Sequence, residues 1–312
     1  MKIIFFGSSE FSIPALKACM ETPRQLLLAV TTPPKKQGRG LLEVPTPIER
    51  FCREQKIPFK APPALKNPEL LGEVSALKPD LLVVSSYGKM IPAAWLKIPS
   101  RLCLNVHPSL LPKYRGAAPL HWPILNGDPE TGLSIAEVTD KLDAGDTFFQ
   151  EKFKIDDQTT SLDLEKILSG ESFAALKTVF AQIENGSLQR TVQDESCSSY
   201  AAKLKKEDGL MDWKRPANQL ANQIRGLLPW PTAYTVFRSE PLQIRKSRVH
   251  ELRGSQGKPG EILAFVKSLG VVIQTGEGLL CAERVKPAGK KEMSAMDFIN
   301  GQRLHLGFCF GT

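Results

Sequence analysis

Apolar residues gather in short dense blocks through the first half of this 312-residue chain and in looser runs through its last third. Residues 2–6 carry Ile3, Ile4, Phe5 and Phe6 and stop at Gly7-Ser8-Ser9, the pattern of a buried first strand. Ile13, Leu16 and Met20 then keep helical spacing, and residues 26–30 read as a second strand. Thr46-Pro47-Ile48-Glu49 has a capping-box pattern with proline at the first helical position, which predicts a helix start. Residues 80–85 and 102–107 are near-continuous apolar runs, as expected of strands covered on both faces. Further strands are predicted over 132–138 and 148–155. Leu164, Leu168, Leu176, Val179, Phe180 and Ile183 place an amphipathic helix over 161–183. This alternation predicts an α/β fold with a Rossmann-like open, mostly parallel sheet. Such sheets bind ligands beyond the carboxyl ends of their strands. Gly7, Tyr87-Gly88 and Asn105-Val106-His107 all fall at such ends.

The pattern breaks over residues 184–206, a polar stretch holding Asn185-Gly186-Ser187 and Cys197-Ser198-Ser199. Beyond it, residues 232–237, 242–249, 260–265, 271–275 and 279–285 are short apolar runs separated by Gly, Pro or charge. Five short strands in so small a space predict a barrel or sandwich, with an OB-like β-barrel as one form. Ser294-Ala295-Met296-Asp297 would cap a last helix. The expected organisation is a first domain over 1–188, a linker over 189–206 and a second domain over 207–312. The length suits two domains.

Composition narrows the functional classes. Apolar residues make up 42% of the chain, enough for a substantial core. No apolar run approaches the roughly 18 residues of a membrane span, and the apolar block at the N-terminus is shorter than a secretory core of about 7–15 residues. A cytoplasmic protein without membrane association is expected. The six cysteines (19, 52, 103, 197, 281 and 309) form no Cys-x-x-Cys pair, and the four histidines lie far apart. Reduced, structural thiols and no metal are therefore expected. The net charge of +8 is uneven. Residues 1–205 hold 25 Lys and Arg against 23 Asp and Glu, whereas residues 206–312 hold 16 against 10. A polyanionic partner and a merely soluble basic surface both account for that excess.

The richest chemistry lies in Asn105-Val106-His107-Pro108-Ser109-Leu110-Leu111-Pro112-Lys113-Tyr114-Arg115-Gly116. In a strand, residues two apart face the same side, so Asn105 and His107 would share a pocket. An amide donor beside an imidazole suits oxyanion stabilisation and proton transfer. Leu142-Asp143-Ala144-Gly145-Asp146 offers a carboxylate, Asp143, to orient the ring or accept a proton. Singly, each of the three also has a plain structural use: a turn for the asparagine, packing for the histidine and a turn for the aspartate.

Taken together, Asn-x-His, Ser-Leu-Leu-Pro-x-Tyr-Arg-Gly and Leu-Asp-x-Gly-Asp resemble the signature of the folate-dependent formyltransferases. The resemblance implies 10-formyltetrahydrofolate as donor, Asn105, His107 and Asp143 as catalytic residues, and Ser109, Leu110, Leu111 and Pro112 as folate contacts. In that scheme Asn105 donates to the oxyanion, His107, favoured as the imidazolium by Asp143, adds a second donor, and Asp143 helps carry the proton, directly or through water.

The rest of the chain resembles the branch of that family acting on methionyl-tRNA. The basic loop Thr32-Pro33-Pro34-Lys35-Lys36-Gln37-Gly38-Arg39-Gly40 is similar to a loop those enzymes place at the acceptor stem. Tyr200-Ala201, Lys203-Leu204 and Asp212-Trp213 resemble the domain junction. Pro229-Trp230-Pro231 and Lys286-Pro287-Ala288-Gly289-Lys290-Lys291 resemble the C-terminal domain. The implied partner is initiator methionyl-tRNA, contacted by Lys35, Lys36, Arg39, Lys290 and Lys291, with the protein acting as a monomer. The alternatives are an amino-sugar formyltransferase using the same donor and a non-catalytic RNA-binding protein. Three places depart from the family pattern. Gly7-Ser8-Ser9 stands where Gly-Thr-Pro is usual, Pro108 where several relatives have a small residue, and Leu228 where Asn is frequent. Gly7 lacks the further glycines of a dinucleotide fingerprint.

Overall fold

The computed structural model describes residues 1–37, 42–251 and 257–311. The chain forms two compact units. The first comprises Met1–Pro119, Thr131–Phe153 and Glu165–Ala202, and the second Leu120–Glu130, Lys154–Leu164 and Lys203–Thr312.

The first unit is built on seven strands: β1 (Lys2–Gly7), β2 (Gln25–Val30), β3 (Phe59–Lys60), β4 (Leu81–Ser85), β5 (Leu102–His107), β6 (Glu130–Glu137) and β7 (Thr147–Lys154). Their order across the sheet is β7-β6-β5-β4-β1-β2-β3. From β3 to β5 every pairing is parallel, while β6 lies antiparallel to β5. The expected mostly parallel sheet is present, and its order reverses direction about β1, where an open α/β sheet forms its crevice.

Helix α1 (Ile13–Met20) follows β1 and buries Ala15, Leu16, Ala18 and Cys19. Helix α2 (Pro47–Glu54) starts as the capping box predicts, with Thr46 Oγ1 accepting from the Glu49 amide at 3.0 Å. Helix α3 (Pro68–Ala76), which apolar spacing did not reveal, is capped by Asn67 and buries only Leu70 and Val74. Its apolar stripe is too narrow to register as a periodic signal. The long helix α4 (Ser161–Asn185) buries Leu168, Leu176, Val179 and Phe180 completely. Fully burying each such side chain contributes about 1.5–3 kcal/mol. On one face of the sheet, Phe6 meets Tyr87 and Trp95 edge to face at 5.2 and 5.5 Å, and Trp95 donates to the Leu65 carbonyl at 2.9 Å.

Residues 191–201, part of the stretch expected as a linker, are tied into the first unit. Thr191 bridges Thr147, and Tyr200-Ala201 run parallel to Arg115-Gly116. Gln193, Glu195 and Ser199 bond to loops of that unit through their side chains, while the other polar side chains of the segment are exposed, which is why its composition reads as a linker.

The second unit carries β8 (Tyr234–Phe237), β9 (Glu240–His250), β10 (Ile262–Val266), β11 (Gly270–Gln274) and β12 (Leu279–Pro287), in the order β8-β9-β12-β11-β10 with every pairing antiparallel. All five expected strands are present. Helices α5 (Ala217–Gly226) and α6 (Ala295–Gln302) accompany the sheet, and Ser294 caps the latter by accepting from the Asp297 amide at 3.0 Å. The core holds Trp213, Leu220, Ile244, Ile262, Ile273, Phe298 and Phe310. Trp213 donates its indole hydrogen to Thr235 Oγ1 at 2.9 Å. No helix among the described residues is long and apolar enough to cross a membrane.

Candidate active site

Strand β5 pairs Asn105 with Val84 of β4 on one side and with Ala136 of β6 on the other, and His107 with Ser134 of β6. Asn105 and His107 thus lie two residues apart at the carboxyl end of an interior strand, on one side of the sheet. His107 is 3% exposed. The third member comes from the loop between β6 and β7. That loop closes tightly because Gly145 lacks a side chain: a Cβ there would lie 2.1 Å from the Glu137 carbonyl oxygen. Asp143 takes a left-handed backbone conformation with φ of 52°.

The three side chains converge. Asn105 Nδ2 donates to Asp143 Oδ1 at 3.1 Å, and His107 Nδ1 faces Asp143 Oδ2 at 3.7 Å. Asp143 Oδ2 also accepts from the Gly116 amide at 2.9 Å. On its other side, His107 Nε2 lies 2.9 Å from the Tyr114 carbonyl. A carbonyl only accepts, so Nε2 carries the hydrogen and Nδ1 is the nitrogen turned to the carboxylate. The ring Nε2–H is engaged by that carbonyl. Asn105 keeps one amide hydrogen for an oxyanion.

The loop after β5 is rigidly built. Ser109, wholly buried, donates to the Lys113 carbonyl at 2.6 Å, and its own carbonyl accepts from Ser134 Oγ at 2.6 Å. The Leu111 amide donates to Ser134 Oγ at 3.2 Å, and the Leu111 carbonyl accepts from Gln150 Nε2 at 2.7 Å. Ser109 and Leu111 therefore shape the loop from inside, whereas Leu110 and Pro112 keep part of their surface exposed. Leu110 packs over Gly132, where a Cβ would come within 2.2 Å of Leu110 Cδ2.

Several residues of this assembly had no role in the sequence reading. The Gly116 amide and the Tyr114 carbonyl act through the backbone, which leaves no side-chain signal. Arg115 and Gln193 meet from loops 78 positions apart: Arg115 Nε and Nη2 donate to Gln193 Oε1 at 3.1 and 2.8 Å. Arg115 also forks onto both oxygens of Glu195, each at 2.9 Å, and that hydrogen-bonded guanidinium holds the Glu195 carboxyl below its ordinary range. At the end of β4, burial pushes the Tyr87 phenol up to about 12, and burial likewise pushes the Cys103 thiol of β5 up to about 12, so both stay protonated near neutrality.

The basic positions are placed separately. Lys35 is exposed, in a short ribbon that pairs Lys35–Gln37 with Leu42–Val44. Lys36 pairs there with Glu43 through the backbone. Arg39 lies outside the described residues. In the second unit, Lys290 and Lys291 are exposed and follow a turn in which Gly289 has φ of 67° and the Lys290 amide donates to the Pro287 carbonyl at 3.1 Å. Among the described residues, no group of three or more His, Cys, Asp or Glu is arranged to hold a metal ion.

An amide donor, an oriented imidazole and a carboxylate converging beyond a parallel strand define an enzyme site for moving an acyl-type group onto a nucleophile that must shed a proton. Residues 1–179 match the family model described as formyl transferase, and residues 203–303 match that of the formyl transferase C-terminal domain. A methionyl-tRNA formyltransferase of Geobacter metallireducens is 37% identical over 311 residues, covering 100% of this chain and 99% of its own. That of Trichlorobacter lovleyi is 38% identical over 313 residues, covering 98% and 96%. The chain therefore belongs to the formyl transferase family, in its methionyl-tRNA formyltransferase branch. Among solved structures, the N-formyltransferase of Helicobacter canadensis in complex with folinic acid and dTDP-3-aminofucose superposes with a TM-score of 0.69 at 19% identity, over 90% of this chain and 98% of that one. The sugar 3N-formyl transferase WlaRD superposes with a TM-score of 0.67 at 18% identity, over 93% and 99%. At that identity the likeness is one of fold.

Proposed function

We propose that this chain transfers the formyl group of 10-formyltetrahydrofolate to the free amino group of methionyl initiator tRNA, for translation initiation. The observation that carries the reading is the contact of Asp143 with Asn105 and its approach to His107 at a strand end. Relatives of that name matching over the whole chain supply the acceptor.

The amine attacks the formyl carbon and the carbonyl oxygen gains charge. The second amide hydrogen of Asn105 meets that oxygen. Asp143 accepts two hydrogen bonds and keeps further lone pairs. It takes the proton released by the attacking nitrogen, directly or through water, and returns it to the folate nitrogen as the old carbon–nitrogen bond breaks. His107, fixed by the Tyr114 carbonyl, keeps Nδ1 beside the carboxylate. The locked loop of Ser109, Leu110, Leu111 and Pro112 forms the folate wall, with the exposed parts of Leu110 and Pro112 facing a flat ring.

The first unit performs this chemistry and the second grips the RNA. We read the second unit's antiparallel sheet as an OB-like module, a type that binds oligonucleotides. Lys35, Lys36 and Arg39 reach the acceptor end, and Lys290 and Lys291 meet phosphates. The enzyme works as a monomer in the cytoplasm.

A competition assay with purified protein, 10-formyltetrahydrofolate, charged initiator tRNA and a panel of amino sugars tests the acceptor. Product on the tRNA supports the reading, and product on the sugars alone replaces it with the sugar reading. In the same assay Asn105→Ala is expected to lower turnover about 10²–10³-fold. Full activity of that variant would remove the mechanism.

A further inference from the structure

We propose that Gln193 is a positioning residue for Asp143, acting through the backbone of its loop; the proposal rests on the function given above. Gln193 is 8% exposed, and its carboxamide is saturated in a way that fixes its orientation. Its oxygen accepts from Arg115 Nε and Nη2 at 3.1 and 2.8 Å. A guanidinium has donors only, so the oxygen must face it and the amide hydrogens must face away. Those hydrogens reach two carbonyls of the Asp143 loop, Asp143 itself at 2.9 Å and Gly145 at 2.6 Å.

This arrangement bears on Asp143 because its backbone is strained. A non-glycine residue at φ of 52° occupies the sparsely populated left-handed region and persists there only when surrounding contacts over-determine it. Gln193 donates to the carbonyl of that residue and to the one two positions on, which holds the turn in the conformation that aims the carboxylate at Asn105 and the Gly116 amide.

Arg115 closes the circuit. Its neighbours in sequence are Tyr114, whose carbonyl orients His107, and Gly116, whose amide holds Asp143. The segment carrying Gln193 is itself anchored to that loop: Ser199 Oγ accepts from the Tyr114 amide at 2.9 Å, and the Ser199 carbonyl accepts from the Arg115 amide at 2.9 Å. Gln193 thus bonds both to Arg115 and to the Asp143 loop. Through it, the two loops that supply the site keep one spacing.

The test compares wild type with Gln193→Ala and Gln193→Glu. The glutamate keeps an acceptor for Arg115 but removes both amide donors. Each variant that melts with the same cooperative profile as wild type is expected to lose about 10–100-fold in kcat, with KM for both substrates within about threefold, as displacement of a reacting group predicts. A crystal structure of Gln193→Glu is expected to show Asp143 turned away from the Gly116 amide. Unchanged kcat in folded Gln193→Glu, or a raised KM with unchanged kcat, overturns the proposal, as does a crystal structure with Asp143 unmoved. Wild type assayed in parallel reports on the function itself. If it formylates no acceptor the functional reading fails, while the crystallographic arm still decides whether Gln193 sets the geometry of Asp143.

Discussion

Asp143 in the first unit and Glu283 in the second are both largely buried carboxylates, with side chains 11% and 9% exposed. Their partners differ in kind. Asp143 is held by neutral donors, the Asn105 amide and the Gly116 N–H, with the His107 ring 3.7 Å away. Glu283 is held by two cations, Lys246 Nζ at 3.1 Å and Arg248 Nε. Neutral dipoles fix a carboxylate in space without cancelling its charge. Two fixed cations neutralise it. Burial alone would raise the Glu283 carboxyl, but hydrogen bonds from Arg248 and Lys246 outweigh it and hold the group below its ordinary range. Under the proposed mechanism, similar burial serves chemistry in one unit and scaffolding in the other.

The same isosteric change at the two positions puts this contrast at risk. Asp143→Asn is expected to lower kcat about 10²–10⁴-fold, the usual contribution of a positioned acid or base, with little change in the melting temperature. A loss of stability matching that of Glu283→Gln, without loss of turnover, would erase the distinction.

The exposed basic positions of the second unit follow a third logic. Each of Lys290→Ala and Lys291→Ala is expected to weaken RNA binding a few-fold and leave folate KM unchanged. Each should also reduce the slope of log affinity against log salt by roughly 0.7–0.9 for every phosphate left without its cation. Binding titrations at several salt concentrations check this, and an unchanged slope would take both lysines out of the interface.

The smallest effect belongs to Glu283→Gln, expected to cost about 1 kcal/mol because its cationic partners remain largely solvated. A carboxyl whose folded pKa is depressed stabilises fully above its unfolded value, about 4.3, and that stabilisation is lost as pH falls through the folded value. The gap in melting temperature between wild type and Glu283→Gln should therefore be present at neutral pH and close in acid. A gap that persisted at low pH would assign the cost to packing instead of charge.

Much of both units could be read along the chain. Continuous apolar runs such as β4 and β5 belong to strands covered on both faces, because side-chain period is a local property. The Thr46 and Ser294 caps were legible for the same reason, since each bonds an amide three residues on. The pairing of Asn105 with His107 needed only the two-residue period of a strand.

What local pattern could not supply was every relation across distance. The antiparallel entry of β6 beside β5 emerged with the folded chain. So did the return of residues 191–201 to the first unit, the engagement of His107 Nε2 by the Tyr114 carbonyl, and the bridge through Gln193. Backbone carbonyls and amides carry no side-chain signature, and a buried polar residue reads in sequence like a solvated one. Residue order established which groups exist and which face of a strand they share. The closed fold alone settled which donor meets which acceptor, because that choice depends on the spacing between loops 27 to 78 positions apart.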